Sequence, residues 1–209
     1  MNRTITVTGT ASASAAPDLV TLTLGVETRR DTAAEAYADA GTAAAAVAAA
    51  VRAAGVSDSD LRTSGLNLRA DLLWVEGLGQ RVSAYIATST LHVAVRRQAD
   101  APAVISAAVA AGGDDIRING IEQGFADPSR VALRAQEAAW EDAVARAEKY
   151  AALAASTLGT VISISQQPAH SSPVPLGGMV RASMATESLP VEAGESSVAA
   201  SVVVVWELS

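Results

Sequence analysis

The chain predicts an α+β fold: an antiparallel or mixed sheet with helices packed on one face, in the order β-β-α-β-β-α-β-α-β-β. Three observations carry that expectation. Both ends of the chain alternate apolar and small or polar residues with period two. Two long alternating runs in the middle are joined by a short glycine turn. Helical segments fall between strand pairs instead of after every strand, which disfavours a doubly wound sheet.

At the N-terminus Ile5, Val7 and Gly9 form one run and Val20, Leu22, Leu24 and Val26 a second. Between them stand the small residues Thr10 to Ala16 and a Pro17-Asp18 turn signal. Thr32 to Glu35 reads as a capping box, with Asp31 as an alternative cap. The helix then runs to Ala54, and Gly55 stops it. Its stripe is Tyr37, Ala40, Ala44, Val47 and Val51, with Gly41 admitting close approach of another backbone. Leu61 to Trp74 and Val82 to Arg97 are two long strands around the turn Glu76 to Gly79.

A shorter helix over Ala101 to Ala111 ends at Gly112-Gly113, and Ile116, Ile118 and Gly120, with Phe125 as a candidate end, mark another strand. Asp127 is placed to cap the next helix, Pro128 takes its first position, and Gly159 follows its last turn. Trp140, Val144, Ala147, Ala151 and Leu158 make its stripe, with Asp142 and Arg146 paired on the exposed side. Val161, Ile162 and Ile164 form a short strand. Residues 168–196 hold four prolines and Gly177-Gly178 without a periodic apolar face, which predicts a long loop.

Val198, Ala200, Val202, Val204, Trp206 and Leu208 then line one side of a closing strand, with Val203 and Val205 on the other. A strand so apolar cannot lie on a wet edge. It must be paired inside a sheet or covered by another subunit.

With 209 residues the chain can bury one sizeable core, so residues 1–209 are read as a single domain, ahead of two halves sharing a sheet. Much of the apolar content is alanine, so helices should lie close to the sheet. The net charge of −7 argues against a nucleic-acid partner, because phosphate binding needs a clustered basic surface. Arg29-Arg30 and Arg96-Arg97 end predicted strands and read as solvated termini. Zero cysteines exclude disulfides and thiolate chemistry. The N-terminal residues lack the apolar core of a signal peptide, and no segment approaches the roughly 18 continuous apolar residues of a membrane span. On those grounds the chain as written reads as cytoplasmic.

No catalytic constellation stands out. His92 points away from the Leu91, Val93 and Val95 face, and neither it nor His170 has a partner at metal-ligand spacing. No HxxxH, nucleophile elbow or phosphate loop is present. Asp58 and Asp60 stand in a turn and lack the glycine and glutamate pattern of a calcium loop. Neither a cofactor nor a metal is expected.

Taken in order, several segments resemble the SIMPL-domain family. They are Ile5-Thr6-Val7-Thr8-Gly9 with Ala15-Ala16-Pro17-Asp18; Gly55 with Asp60-Leu61-Arg62-Thr63; and Tyr85 leading into Leu91-His92-Val93. Further along come Gly112, Ile118 to Phe125, the Ala138 to Lys149 helix with Ala151, Leu153 and Gly159, and the closing Pro190, Gly194 and Val198 to Leu208. Ala84 departs from the family pattern, where glycine is common. The resemblance implies an α+β core, ring- or channel-like homo-oligomers, stress- or envelope-related roles with periplasmic members, and no established catalytic residues.

The expected function is therefore a non-enzymatic assembly or scaffold protein whose partner is itself. The closing strand, Val198, Val202, Val203, Val204, Val205 and Trp206, is its expected interface. The alternative is a small-ligand module with a pocket between sheet and helices, lined by Trp74, Tyr85 or Trp140. A third reading is an enzyme of unrecognised type using scattered Asp and Ser residues.

Overall fold

A computed structural model describes residues 3–167 and 194–209. The elements are β1 (Arg3–Ala15), β2 (Leu19–Arg30), α1 (Ala33–Ala53), β3 (Leu61–Val75), β4 (Gly79–Val95), α2 (Ala101–Gly112), β5 (Ile116–Gly124), α3 (Ser129–Leu153), β6 (Leu158–Gln167) and β7 (Ser196–Leu208). This is the expected order, and every strand pairing is antiparallel. Of the stretch 168–196 expected as a loop, residues 168–193 lie outside the described residues, and β7 already begins at Ser196.

The chain forms two compact units, each with its own sheet. The first contains residues 3–17, 125–167 and 194–209; the second contains residues 18–124.

In the second unit the strand order is β3-β4-β2-β5. One face carries Val20, Leu22, Leu24 and Val26 from β2 and Val93 and Val95 from β4. Val47 and Val51 of α1 and Val104 of α2 cover that face. The capping box sets the start of α1. The Glu35 amide donates to Thr32 Oγ1 at 3.2 Å, and the Thr32 hydroxyl donates to the Glu35 carboxylate at 2.9 Å. Buried Thr28 ties β2 to α1 by donating to the Ala36 carbonyl at 2.7 Å. Tyr37, expected in the buried stripe, is exposed, and Ala36 takes its place. Gly41 faces open space, so the close approach expected there does not occur.

In the first unit the order is β1-β7-β6, with α3 lying on β1 and β7. The buried stripe of α3 is Val131 followed by Ala135, Ala139, Ala143, Ala147 and Ala151 at four-residue spacing. Trp140 and Val144, expected in the stripe, flank it. The alanines are required because β1 presents Gly9, Ala11 and Ala13 to them. A Cβ on Gly9 would fall inside the Ala139 carbonyl oxygen and 2.6 Å from the Ala143 Cβ. The small residues from Thr10 onward therefore extend β1 instead of interrupting it.

The ends of α3 also differ from expectation. Pro128 stands at the N-cap while Asp127 Oδ1 accepts from the Ser129 amide at 3.0 Å. At the other end the helix stops at Leu153, and Ala155 takes the left-handed conformation at φ 48° that glycine usually supplies. Leu158 and Gly159 begin β6, where the Cβ that Gly159 lacks would crowd the Glu207 carbonyl oxygen at 3.0 Å.

Candidate functional site

Each unit leaves one edge strand uncovered on its helix side. In the first unit α3 barely reaches β6. Ile164 pairs with Val204, and Val161 with Trp206, so both lie on the face where Val204 and Trp206 meet α3. With no helix above them among the described residues they stay exposed, Ile164 by 59%. The result is an open groove of about 460 Å³ between α3 and β6, floored by Ile164, Ala200 and Val202. Trp140 forms its wall, packed on buried Trp206 with ring centroids 6.1 Å apart. Glu137 and Glu141 stand on its helical side.

The opposite edge of this sheet is closed. Three α3 side chains reach the outer edge of β1: Asp142 Oδ2 accepts from the Thr10 amide at 2.9 Å, Arg146 donates to the Thr8 carbonyl at 3.4 Å, and Arg134 donates to the Ser14 carbonyl at 3.1 Å. An edge with its backbone groups occupied cannot template another strand. No such contacts are found along the outer edge of β6 among the described residues.

In the second unit α1 lies over β2 and β4 and touches β3 little. Leu66 and Leu68 share the helix-side face with Ser89 and Ala87, but no helix among the described residues covers them. A bulge in β4 at Ser83 keeps Leu72 and Trp74 on that face. Because β2 pairs with β4 only as far as Tyr85, Asp71–Val75 and Gly79–Ala84 continue as a two-stranded arm. Trp74 near its tip is 72% exposed.

The sequence-predicted residues separate accordingly. Trp140 lines the groove of the first unit, while Trp74 and Tyr85 belong to the second. Trp74 stands on the arm, and Tyr85 packs against Ala36, Ala40 and Ala87. The closing strand is the central strand of its sheet, paired on both sides. Val198, Val204 and Trp206 are buried within the chain itself, and Val202 floors the groove. Val203 and Val205 lie half-buried on the far face. Its apolar character is thus accounted for without a second subunit. What residue-type reasoning missed is the arm; the alternation of Leu66, Leu68 and Leu72 with Trp74 was its signal.

Several of the charged groups form ion pairs. Arg29 meets Asp71 at 3.1 Å, Arg30 meets Asp39 at 2.6 Å, Arg96 meets Asp60 at 2.6 Å and Arg97 meets Asp100 at 2.7 Å. Asp58 meets Arg52 at 2.6 Å. The Arg96 guanidinium, helped by the Ser57 hydroxyl, holds the Asp60 carboxyl below the ordinary range. The Thr10 amide does the same for Asp142, seconded by Arg146. His92 Nδ1 lies 3.2 Å from the Thr23 hydroxyl. Among the described residues no three His, Cys, Asp or Glu side chains converge as a metal site, and no helix is long and apolar enough to cross a membrane.

The described residues thus form a two-unit α+β chain with one capped sheet edge, one open groove and one two-stranded arm. The family model described as SIMPL, protein of unknown function (DUF541), matches residues 5–206, and the chain belongs to that family. It is 31% identical over 215 residues to the 26 kDa periplasmic immunogenic protein of Brucella melitensis biotype 1, a match covering 98% of this chain and 84% of that one. It is 27% identical over 192 residues to the uncharacterized protein YggE of Escherichia coli strain K12, covering 92% and 75%. A solved aminobenzoyl-glutamate utilization protein from Klebsiella pneumoniae overlaps 57% of this chain and 34% of its own, with 17% identity and a TM-score of 0.30.

Proposed function

We propose that this chain is a non-enzymatic, self-assembling protein of the SIMPL type, and that its whole length acts as one SIMPL-like domain. The observation that carries the reading is the stripe Leu66, Leu68, Leu72 and Trp74, exposed along an edge strand that ends in a two-stranded arm. A hairpin with so little support is marginal in water, and an exposed apolar edge invites pairing. Natural edges of this length are usually blunted by charge or bulges. Here the stripe keeps its leucines, which favours a surface that is covered in the working state.

The cytoplasmic location expected from the N-terminal residues finds no support among the relatives. Those at about 30% identity are named periplasmic, which favours the cell envelope for this chain too.

Light scattering after size exclusion tests the assembly reading. A defined multiple of 21.1 kDa is expected, and a monomer at every concentration up to the millimolar range would sink it.

The groove beside Trp140 favours a second reading, a small apolar ligand held between α3 and β6. A saturable change in tryptophan emission during a ligand screen would support it, and a monomeric chain showing such a change would replace the first reading.

A further inference from the structure

We infer that the groove between α3 and β6 takes a small organic cation, an ammonium group joined to a short apolar body. The inference rests on the ligand reading above and gives that ligand a charge and a size; it does not depend on self-assembly.

The floor and wall of the groove select the apolar body. Ile164, Ala200 and Val202 lie beneath the opening, within a cavity of about 460 Å³ that falls in the range of small-molecule sites. Trp140, 36% exposed, borders it and is backed by buried Trp206. Along the helix the lining runs from Gln136 to Glu141. That is about 8 Å at roughly 1.5 Å per residue, the length of one aromatic ring with a short tether.

The helical side of the groove selects the charge. Glu137 and Glu141 stand one turn apart, with Trp140 on the same face of the helix, and neither has an ion-pair partner among the described residues. The helix itself gains nothing from them. Like charges four residues apart are destabilising. Both lie beyond the first turn of α3, where the helix dipole no longer favours a carboxylate. Arg134, three residues before Glu137, is turned to the other flank and donates to the Ser14 carbonyl. Arg146 goes the same way, to Asp142 and the Thr8 carbonyl. Thus α3 sends these two arginines toward β1 and leaves two carboxylates beside the apolar groove.

Side chains one turn apart are neighbours on a helix surface, so a single ammonium can meet both carboxylates. At that position it also meets the Trp140 ring, whose negative face attracts a cation. A neutral molecule of the same shape keeps the floor contacts and loses these. An anion is repelled. Gln136 and Gln166 at the margins offer hydrogen bonds without altering the balance of charge.

Three ligands of nearly one shape and different charge test this: phenethylamine, phenethyl alcohol and hydrocinnamate. Each is titrated at pH 7 into the Trp74→Phe chain, whose remaining tryptophans are Trp140 and Trp206. Emission is followed into the millimolar range, where ligands of this size bind. The amine is expected to bind at least tenfold more tightly than the alcohol, and hydrocinnamate more weakly than either. A double variant, Glu137→Gln with Glu141→Gln, changes two exposed side chains to another good helix former and should keep the wild-type circular dichroism. In it the amine should fall to the affinity of the alcohol, with the alcohol unchanged. Amine binding no tighter than that of the alcohol, or an amine preference that survives the double substitution, overturns the inference and leaves the ligand reading in place. No saturable change with any of the three overturns both.

Discussion

The two units solve one packing problem by opposite means. In the unit of residues 18–124 the sheet is held by side-chain volume: valines and leucines of β2 and β4 meet valines of α1 and α2. In the other unit α3 lies so near the sheet that alanine meets glycine and alanine, and bulkier groups gather in a separate cluster around Val7, Val204 and Trp206. A core of volume tolerates the loss of a methylene at a graded cost. A core of close approach has no room to give, so substitutions that add atoms should be far more damaging in the first unit than in the second.

The largest effect is expected where a charge enters the tight core. Val204 is fully buried beneath α3, so Val204→Asp should cost about 4 kcal/mol or more by burying a carboxyl without a partner. The observable is loss of the Trp206 emission of the folded state, together with aggregation. It should not yield a folded monomer, since Val204 reports on the chain's own core. Val203→Asp, on the far half-buried face, is the control and should remain folded.

Next in size is Gly9→Ala. The added Cβ meets the Ala139 carbonyl oxygen and the Ala143 backbone, which cannot swing aside. A loss of about 3 kcal/mol is expected in urea unfolding. The same substitution at Gly41, which faces open space in a helix, should stabilise by about 0.5–1 kcal/mol. If Gly9→Ala were as mild as Gly41→Ala, the contrast between the cores would fail.

Thr28→Val tests the volume-packed unit at a lower magnitude. The substitution keeps shape and removes the hydroxyl that bonds the Ala36 carbonyl. A loss of about 1 kcal/mol is expected, because that carbonyl also belongs to the α1 hydrogen-bond ladder and is not orphaned.

Both cores bear on what was legible beforehand. The element order could be read because periodicity is a local property: strand runs such as Leu22, Leu24 and Val26 need only their own alternation. The capping box at Thr32 was local in the same way. Helix faces made of alanine were not, because Ala135, Ala139 and Ala143 look no different in sequence from the exposed alanines of α1. Their burial is decided by Gly9, more than a hundred residues away. The same distance hid the candidate site. Trp140 was recognisable as a lining residue, but the groove exists because α3 stops short of β6, and no local pattern encodes where a helix fails to reach. Trp74, one of the three lining residues the sequence offers, stands on an arm that no helix among the described residues covers.

The smallest effects concern acid. In the first unit the Thr10 amide and then Arg146 favour the ionised form of Asp142; in the second the Arg96 guanidinium and then Ser57 favour that of Asp60. A carboxyl whose folded pKa is depressed binds fewer protons when folded than when unfolded. Its stabilisation is therefore complete above the unfolded value, about 3.9, and disappears as pH falls through the lower folded value. Asp142→Asn and Asp60→Asn should each lower the urea midpoint slightly at pH 7. The gap to wild type should begin to narrow near pH 4 and close only as pH falls through the depressed folded value, where the wild-type carboxyl is itself neutral. The units differ in what else is lost. Asp60→Asn leaves Arg96 on an exposed loop where water replaces its partner, so the change should be confined to stability. Asp142→Asn weakens the cover on the β1 edge, and acid should do so in the wild type, freeing a second edge for pairing. Once pH falls below that depressed value the first unit should therefore acquire contacts that the second does not, seen as a scattering increase that Asp142→Asn already shows at pH 7 and Asp60→Asn does not.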